Sequence, residues 1–253
     1  MAQVVRGRFS LAMSASREHL DEFVERMRSS AGQNLESIIL YGSGSREDFN
    51  ETYSDLNLLC AFHDLSGAEL LKVVPVLKWW AQSLRQRPPL LMTTEEFRSS
   101  ADVFAIEVID MQTHHRVLHG ADIVLGVEVS MDMHRVELER ELRTTLLKLR
   151  QHFVFARDDE DELKRVLIRS VPTVVTLFRH ALITLGEAHA IPRSAVLKRI
   201  ADTLAIDVSP FETAVSLREG RKDAADYRVI FERYIHSLAA VISAIDRGGT
   251  KRS

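Results

Sequence analysis

The pattern of hydrophobic and polar positions divides this chain into two parts of different character. In the first part, residues 37–41 and 56–62 form short apolar runs that are typical of buried strands. Residues 66–86 instead place their apolar side chains at the three- and four-residue spacing of a helix. This alternation of strands and helices indicates an α/β unit.

In the second part, the pattern predicts helix almost throughout. The change in pattern falls near residues 126–132, and no internal repeat or long linker accompanies it. Apolar positions at helical spacing predict helices over residues 134–157, 162–186, 194–205, 210–219 and 224–246. The sequence therefore predicts an α/β domain over residues 1–130 and an all-helical domain over residues 131–253.

The end of the first predicted strand carries the most informative chemistry. Gly42 and Gly44 follow it directly, with Ser43 between them. Glycine permits positive φ and a close approach of the backbone to a ligand. Free N–H groups at such a turn favour a bound anion such as phosphate. Arg46, a few residues later, is a candidate cation for the same phosphate.

Two polar residues begin the second predicted strand. Asp55 and Asn57 are two positions apart, so on a strand their side chains point to the same face. If the two strands are neighbours, both side chains lie beside the Gly42 turn. Carboxylate oxygens are ligands that suit Mg²⁺, while the Asn57 amide offers only a neutral oxygen.

Together these residues resemble the polymerase-β-type nucleotidyltransferase superfamily over roughly residues 35–62. The resemblance implies an α/β (α+β) core with a mixed sheet, and the helical bundle that follows resembles that of the small-molecule nucleotidyltransferases. It implies that Gly42 and Ser43 hold a nucleoside triphosphate, and that Asp55 and Asn57 occupy the positions of paired metal-binding aspartates. Mg²⁺ or Mn²⁺ is the implied cofactor. Residues 76–150 also resemble a group of uncharacterised bacterial nucleotidyltransferase-like proteins, through Lys78-Trp79-Trp80 and residues 87–90 and 116–120.

The chain departs from the superfamily pattern at two carboxylates. Asn57 stands where the second metal aspartate is expected, which should weaken metal binding. The third carboxylate of the superfamily lies on a later strand, but the apolar run at residues 89–93 contains no acid. The next run, residues 103–111, contains Glu107 and Asp110, whose different parity means that a strand would face only one of them inward. Glu107 is the preferred candidate for a general base because it interrupts the apolar run.

Two functions of different kinds follow from this pattern. In the first, the protein transfers a nucleoside monophosphate from an NTP, with ATP as the expected donor, to a hydroxyl of an unknown small-molecule or protein acceptor. In the second, it is a noncatalytic descendant of such an enzyme and acts as a nucleotide sensor or as a partner subunit. The Gly42-Ser43 turn and Asp55 favour the first, whereas Asn57 and the acid-free run at residues 89–93 favour the second.

Composition and charge narrow the partners and the location that are expected for this protein. The formal net charge is −3, so the chain has no strong overall positive field for nucleic acid. The single cysteine, Cys60, lies in the second predicted strand and is expected to pack as a small apolar group. No signal-peptide core and no long membrane-spanning run are evident, so a cytoplasmic location is expected. His114, His115 and His119 are expected to be loop residues rather than a metal site, and they could contribute to a homo-oligomer interface.

Overall fold

The computed structural model describes residues 18–42, 56–156, 158–221 and 226–249, and the chain divides into two compact units between Val129 and Ser130. The first unit contains a mixed four-stranded sheet. Its strands are β1 (Leu35–Tyr41), β2 (Asn57–Phe62), β3 (Leu90–Thr93) and β4 (His115–Gly120). Their spatial order is β3-β2-β1-β4. Strand β1 is antiparallel to both β2 and β4, whereas β2 and β3 are parallel. The predicted mixed sheet is therefore confirmed.

Helices cover both faces of this sheet. They are α1 (residues 18–31), α2 (Gly67–Lys78), α3 (Thr94–Ser99) and α4 (Ala105–Thr113), and α2 continues into a π-helical turn at Trp79–Ser83. Alternate residues of a strand point to opposite faces. Accordingly, Ile38 of β1 packs with residues of α1 and α2 in one cluster, and Ile39 packs with residues of α3 and α4 in another.

Residues of β2 alternate in the same way. Cys60 joins the cluster with Ile38 and is fully buried, as predicted. Burial raises the pKa of its thiol well above the usual range, because the thiolate would lose its hydration. Trp80, from the π-helical turn, is fully buried in the same cluster, and its indole N–H donates to the Arg87 carbonyl at 2.9 Å. These contacts show a structural role for Trp80.

One predicted strand is a helix. Residues 103–111 were expected to form a strand, but Ala105–Thr113 form α4. Its buried residues are Ala105, Ile106, Val108, Ile109 and Met111, a set that contains the three- and four-residue spacing of a helix face. Over so short a run, burial on one side of a helix and burial on both faces of a strand give similar sequences. The strand that completes the sheet is β4, which contains His115 and His119, so the expectation that these histidines are loop residues was also wrong.

The second unit consists of helices among its described residues. They are α5 (Met131–Phe155), α6 (Glu160–Thr184), α7 (Arg193–Leu204), α8 (Ser209–Arg218) and α9 (Tyr227–Gly249). Each prediction of a helix in this region is confirmed, with ends that differ by a few residues. A buried aromatic group from three helices lies in its core, where Phe211 contacts Phe178 and Tyr234.

Two buried histidines also lie in this helical core. His134 of α5 and His180 of α6 are both fully buried, and their facing ring nitrogens, Nε2 and Nδ1, are 2.9 Å apart. The Thr184 hydroxyl donates to the His180 carbonyl at 3.0 Å and lies 3.4 Å from the other ring nitrogen of His134. This chain of contacts satisfies polar groups that burial would otherwise penalise.

Helix α6 is long and apolar enough to cross a membrane by length and composition, in contrast to the expectation that the chain contains no such run. Most of its apolar window is buried inside the protein, including Val174, Phe178 and Leu182. The core helix of a folded domain meets the same criteria, so the burial explains its apolar character without a membrane.

Candidate functional site

Gly42, the residue after β1, packs directly against the start of β2. Gly42 follows Tyr41, the last residue of β1, and has φ of +74°. A side chain at this position would place its Cβ 3.2 Å from Nδ2 of Asn57. Tyr41 and Asn57 are also paired across the two strands. The antiparallel pairing of β1 with β2 therefore places the Asn57 amide beside the backbone of Gly42.

The same turn is tied to β4. The Gly42 N–H donates to the carbonyl of His114 at 3.3 Å, and Tyr41 is paired with His115. Gly42 thus lies where β1 meets both of its neighbours in the sheet. Its positive φ, which glycine adopts without a Cβ penalty, lets the chain leave the strand at this point.

Three predicted site residues cannot be placed. Ser43, Arg46 and Asp55 lie outside the described residues. The geometry of the candidate site is therefore given by Gly42, Asn57 and the groups around Tyr41.

Glu107 lies on α4 rather than on a strand. It is an exposed residue in the first turn of the helix. Its charge nevertheless acts on Tyr41 at the end of β1. Burial raises the pKa of Tyr41 to about 12, the negative charge of Glu107 adds to that rise, and the positive charge of Arg87 opposes it. Both charges therefore act on the Tyr41 hydroxyl, which stays protonated at neutral pH.

The helix also changes the relation between Glu107 and Asp110. On a strand, their different parity would separate them onto opposite faces. On a helix, residues three apart are neighbours on the same side, so the parity argument, which assumed a strand, does not apply. Asp110 is half-buried near the end of α4, and its carbonyl accepts the His114 N–H at 3.0 Å.

A contact that the sequence did not indicate joins β4 to the segment after it. Nδ1 of His115 lies 2.7 Å from the carbonyl oxygen of Met111, and Nε2 lies 2.9 Å from Oδ2 of Asp122. The only signal in the sequence is a histidine and an aspartate seven residues apart, a spacing that has no special meaning until β4 and the following turn are known.

The described residues supply only part of a metal site. They contain no group of three or more His, Cys, Asp or Glu side chains arranged to hold a metal ion. Asn57 provides one neutral oxygen donor, which fits Mg²⁺ or Mn²⁺ only with help from carboxylates and substrate phosphates. The predicted carboxylate ligand, Asp55, lies outside the described residues.

Two open cavities are lined by other residues. One, of about 770 Å³, lies at the opposite ends of β1 and β2 from Gly42, where Glu36, His63, Thr94 and Arg98 contribute to its lining. The other, of about 420 Å³, lies in the helical unit, where Asp207, Arg233 and His236 contribute. Neither is lined by Gly42, Asn57 or Glu107, so cavity size alone does not point to the predicted site.

Sequence comparison and structure comparison give different results. No protein-family model matches the sequence, and no curated protein matches it. Among solved structures, the chain is similar to a spectinomycin adenyltransferase from Enterococcus faecialis, solved with ATP and spectinomycin. The TM-score is 0.54 at 12% identity, and the match covers 88% of this chain and 99% of the adenyltransferase chain.

This protein has a nucleotidyltransferase-like fold. The likeness at 12% identity concerns the fold alone. It extends across both units, since 88% of the chain is more than either unit contains. Within this nucleotidyltransferase-like fold, two predicted site residues lie together, Gly42 directly after β1 and Asn57 at the start of β2.

Proposed function

We propose that this protein transfers a nucleoside monophosphate from an NTP, with ATP as the donor, to a hydroxyl group of a small molecule or protein. The observation that carries the proposal is the packing of the Gly42 turn against Asn57 within a nucleotidyltransferase-like fold. The similar adenyltransferase was solved with ATP and a small molecule, which supports ATP as the donor and a small molecule as the acceptor.

The proposed roles follow from the chemistry of each residue. Gly42, whose own N–H donates to the His114 carbonyl, would allow the triphosphate a close approach. The Ser43 N–H would bind the triphosphate, and Arg46 would add a positive charge. Asp55, with Asn57 as a neutral partner, would hold Mg²⁺ or Mn²⁺, which when bound neutralises charge on the phosphates. The amide of Asn57 makes this metal site weaker than one with two carboxylates.

The reaction would be an in-line displacement at the α-phosphorus. The acceptor hydroxyl oxygen forms a bond to that phosphorus while the bond to the bridging oxygen breaks, and pyrophosphate leaves with the electron pair. Glu107 would accept the hydroxyl proton as general base. Its exposed position and its electrostatic effect on Tyr41 support this role.

One observation favours a noncatalytic alternative. The side chain beside Gly42 is an amide and carries no negative charge. A protein with this site could still bind nucleotide and act as a sensor or as a partner subunit. The experiment must therefore separate nucleotide binding from transfer.

Calorimetry of ATP and GTP binding, with and without Mg²⁺ or Mn²⁺, makes this separation. We expect metal-dependent ATP binding that Asp55→Ala weakens. We expect Asn57→Asp to tighten it about tenfold or more, because a hydrogen bond or contact to a charged group contributes roughly 1.5–3 kcal/mol. Asp64→Asn is the matched control, since Asp64 follows the opposite end of β2 and should leave binding unchanged.

Pyrophosphate release with a panel of hydroxyl-bearing acceptors then tests transfer. Release by the wild type supports the enzyme. Binding without release, together with release by Asn57→Asp, supports the noncatalytic alternative. Absence of binding at millimolar nucleotide in both proteins would contradict both transfer and nucleotide sensing, and would leave only the role of a partner subunit.

A further inference from the structure

His115 is the first residue of β4 and lies next to the Gly42 turn. It is paired with Tyr41 across the sheet, and the residue before it, His114, accepts the Gly42 N–H through its carbonyl. The His115 side chain is largely buried, with 16% of its surface exposed. Any change in its contacts therefore acts close to the candidate nucleotide site.

Both ring nitrogens of His115 face oxygen atoms that can only accept. Nδ1 is 2.7 Å from the carbonyl oxygen of Met111, and Nε2 is 2.9 Å from the carboxylate of Asp122. A neutral imidazole has one N–H and could satisfy only one of these contacts. Hydrogen bonds at both positions need both nitrogens to carry protons, which only the imidazolium form of the ring provides.

Asp122 is held in its charged form. Partial burial would by itself raise the pKa of Asp122, but the hydrogen bond from His115 and those from the backbone N–H groups of Leu125 and Val124 outweigh it and hold that pKa below its usual range. Oδ1 accepts from these two N–H groups at 3.2 and 3.1 Å, and Oδ2 faces His115. The carboxylate thus joins the turn after β4 to the His115 ring.

The other contact of His115 lies at the end of a helix. Met111 is in the last turn of α4, where backbone carbonyls lack partners within the helix. A positive charge at a helix C-terminus also interacts favourably with the helix dipole. His115 therefore connects the end of α4, the helix that carries Glu107, to the turn that Asp122 organises.

We propose that His115 is a positioning residue for the Gly42 turn, which as an imidazolium holds the end of α4 and Asp122 together and so fixes the His114 carbonyl that Gly42 binds. The clamp consists of Met111, His115 and Asp122. The effect of this clamp on nucleotide binding rests on the proposed function, whereas the contacts that form the clamp do not. Loss of one proton from the ring would break one of its two hydrogen bonds and loosen the Gly42 contact.

Other titratable groups surround this clamp. Tyr41 faces it from β1, and α4 carries Glu107 and Asp110. His114 and Arg116 flank it along the chain. Substitutions at His115 and Asp122 separate the titration of the clamp from the titration of these neighbouring groups, because the ion pair of the clamp joins His115 to Asp122.

The charge of His115 can be observed directly by nitrogen NMR of histidine side chains in the full-length protein without nucleotide. We expect both ring nitrogens of His115 to carry protons at neutral pH, and Asp122→Asn to release one of them. His115→Gln identifies the signals. A single-proton tautomer in the wild type at neutral pH, or no response to Asp122→Asn, would overturn the proposal.

Amide hydrogen exchange at Gly42 tests the positioning role. We expect His115→Gln and Asp122→Asn each to accelerate Gly42 exchange about tenfold or more, because each removes a hydrogen bond that involves a charged group. His119→Gln is the control, because His119 lies on the same strand and has no side-chain hydrogen bond within the described residues. In the wild type, Gly42 exchange should also rise with pH beyond its intrinsic dependence, and this excess should be absent in His115→Gln.

The near-isosteric Asp122→Asn variant keeps the test valid if His115→Gln does not fold. Unchanged Gly42 exchange in a folded variant would overturn the proposal. ATP calorimetry on the same variants is a separate measurement. If Gly42 exchange responds but the wild type does not bind ATP, the clamp stands and the proposed nucleotide function fails.

Discussion

At the residue scale, Gly120 ends β4 at a point where no side chain fits. Its φ is +75°, and a Cβ at this position would lie 1.8 Å from the carbonyl oxygen of Glu36. The neighbouring strand is in the way because Gly120 is paired with Ser37 of β1. The buried Ser37 hydroxyl also donates to the Ala121 carbonyl at 2.6 Å, which holds the chain close as it leaves the strand.

We therefore expect Gly120→Ala to lower the free energy of unfolding by about 2–4 kcal/mol, from the cost of positive φ for a residue with a Cβ and the cost of the steric overlap. Gly126→Ala is the matched control. Gly126 has φ of +79°, but a Cβ there would meet no atom within 4 Å beyond its own chain neighbours, so only the backbone cost applies. Urea denaturation of the two variants measures the difference, and equal losses would contradict the steric argument.

At the scale of elements, one ion pair ties the start of α8 to α9. Arg233 of α9 donates to Asp207 at 2.8 Å and to the Ser209 hydroxyl at 2.7 Å, and Asp207 also accepts the Ser209 N–H at 3.0 Å. The pKa of Asp207 is held below its usual range, mainly by the hydrogen bond from the Ser209 hydroxyl and next in size by the hydrogen bond from Arg233. This contact joins two helices that lie far along the chain from the residues of the candidate site.

A depressed folded-state pKa stabilises the protein at pH values above the ordinary aspartate pKa, and that contribution is lost as pH falls through the folded value. We therefore expect Asp207→Asn to lower the free energy of unfolding by about 0.5 kcal/mol at pH 7, a small value because the pair is exposed. The difference from the wild type should disappear as pH falls through the folded-state pKa of Asp207, since the wild-type carboxyl then becomes protonated.

Urea denaturation at several pH values checks this dependence. Asp202→Asn, which changes another exposed aspartate on α7, is the control. A difference between wild type and Asp207→Asn that grows as pH falls would contradict the sign.

At the scale of the whole molecule, the chain forms two compact units, each with buried apolar residues of its own. Residues 127–130, at the boundary of the two units, have no helix or strand, and Glu128 is exposed there. Segments of this kind are preferred sites of proteolytic cleavage. By contrast, Glu137 is buried within α5.

We expect a glutamate-specific protease to cut first after Glu128 under native conditions, and to leave two fragments close to the two units in mass. Mass spectrometry of the early digest identifies the site. A Glu128→Gln variant should lose this first cut. Early cleavage inside α5 or α6 instead would contradict the division into two compact units.

The sequence pattern predicted an element correctly where that element has a long or uniform hydrophobic signal. Strands β1 and β2 are largely buried apolar runs, and α5 to α9 repeat the helical period along their length. Both predictions therefore depend on local information. The pattern failed for α4 and β4. In α4 the apolar run is too short to distinguish a helix from a buried strand, and in β4 only Val117 and Leu118 are apolar because the strand lies at the edge of the sheet.

The sequence by itself determined the order of strand, glycine turn and Asp-x-Asn, and with it the resemblance to nucleotidyltransferases. It also determined that position 57 offers an amide and not a charge. Only the tertiary structure decided which groups meet around the Gly42 turn, because these groups come from β1, β2, α4 and β4. Antiparallel pairing brings Asn57 and His114 to Gly42, and the helical form of α4 sets the positions of Glu107 and Met111. Such contacts depend on strand order and register, which are set by the packing of the whole unit and not by any local run of residues.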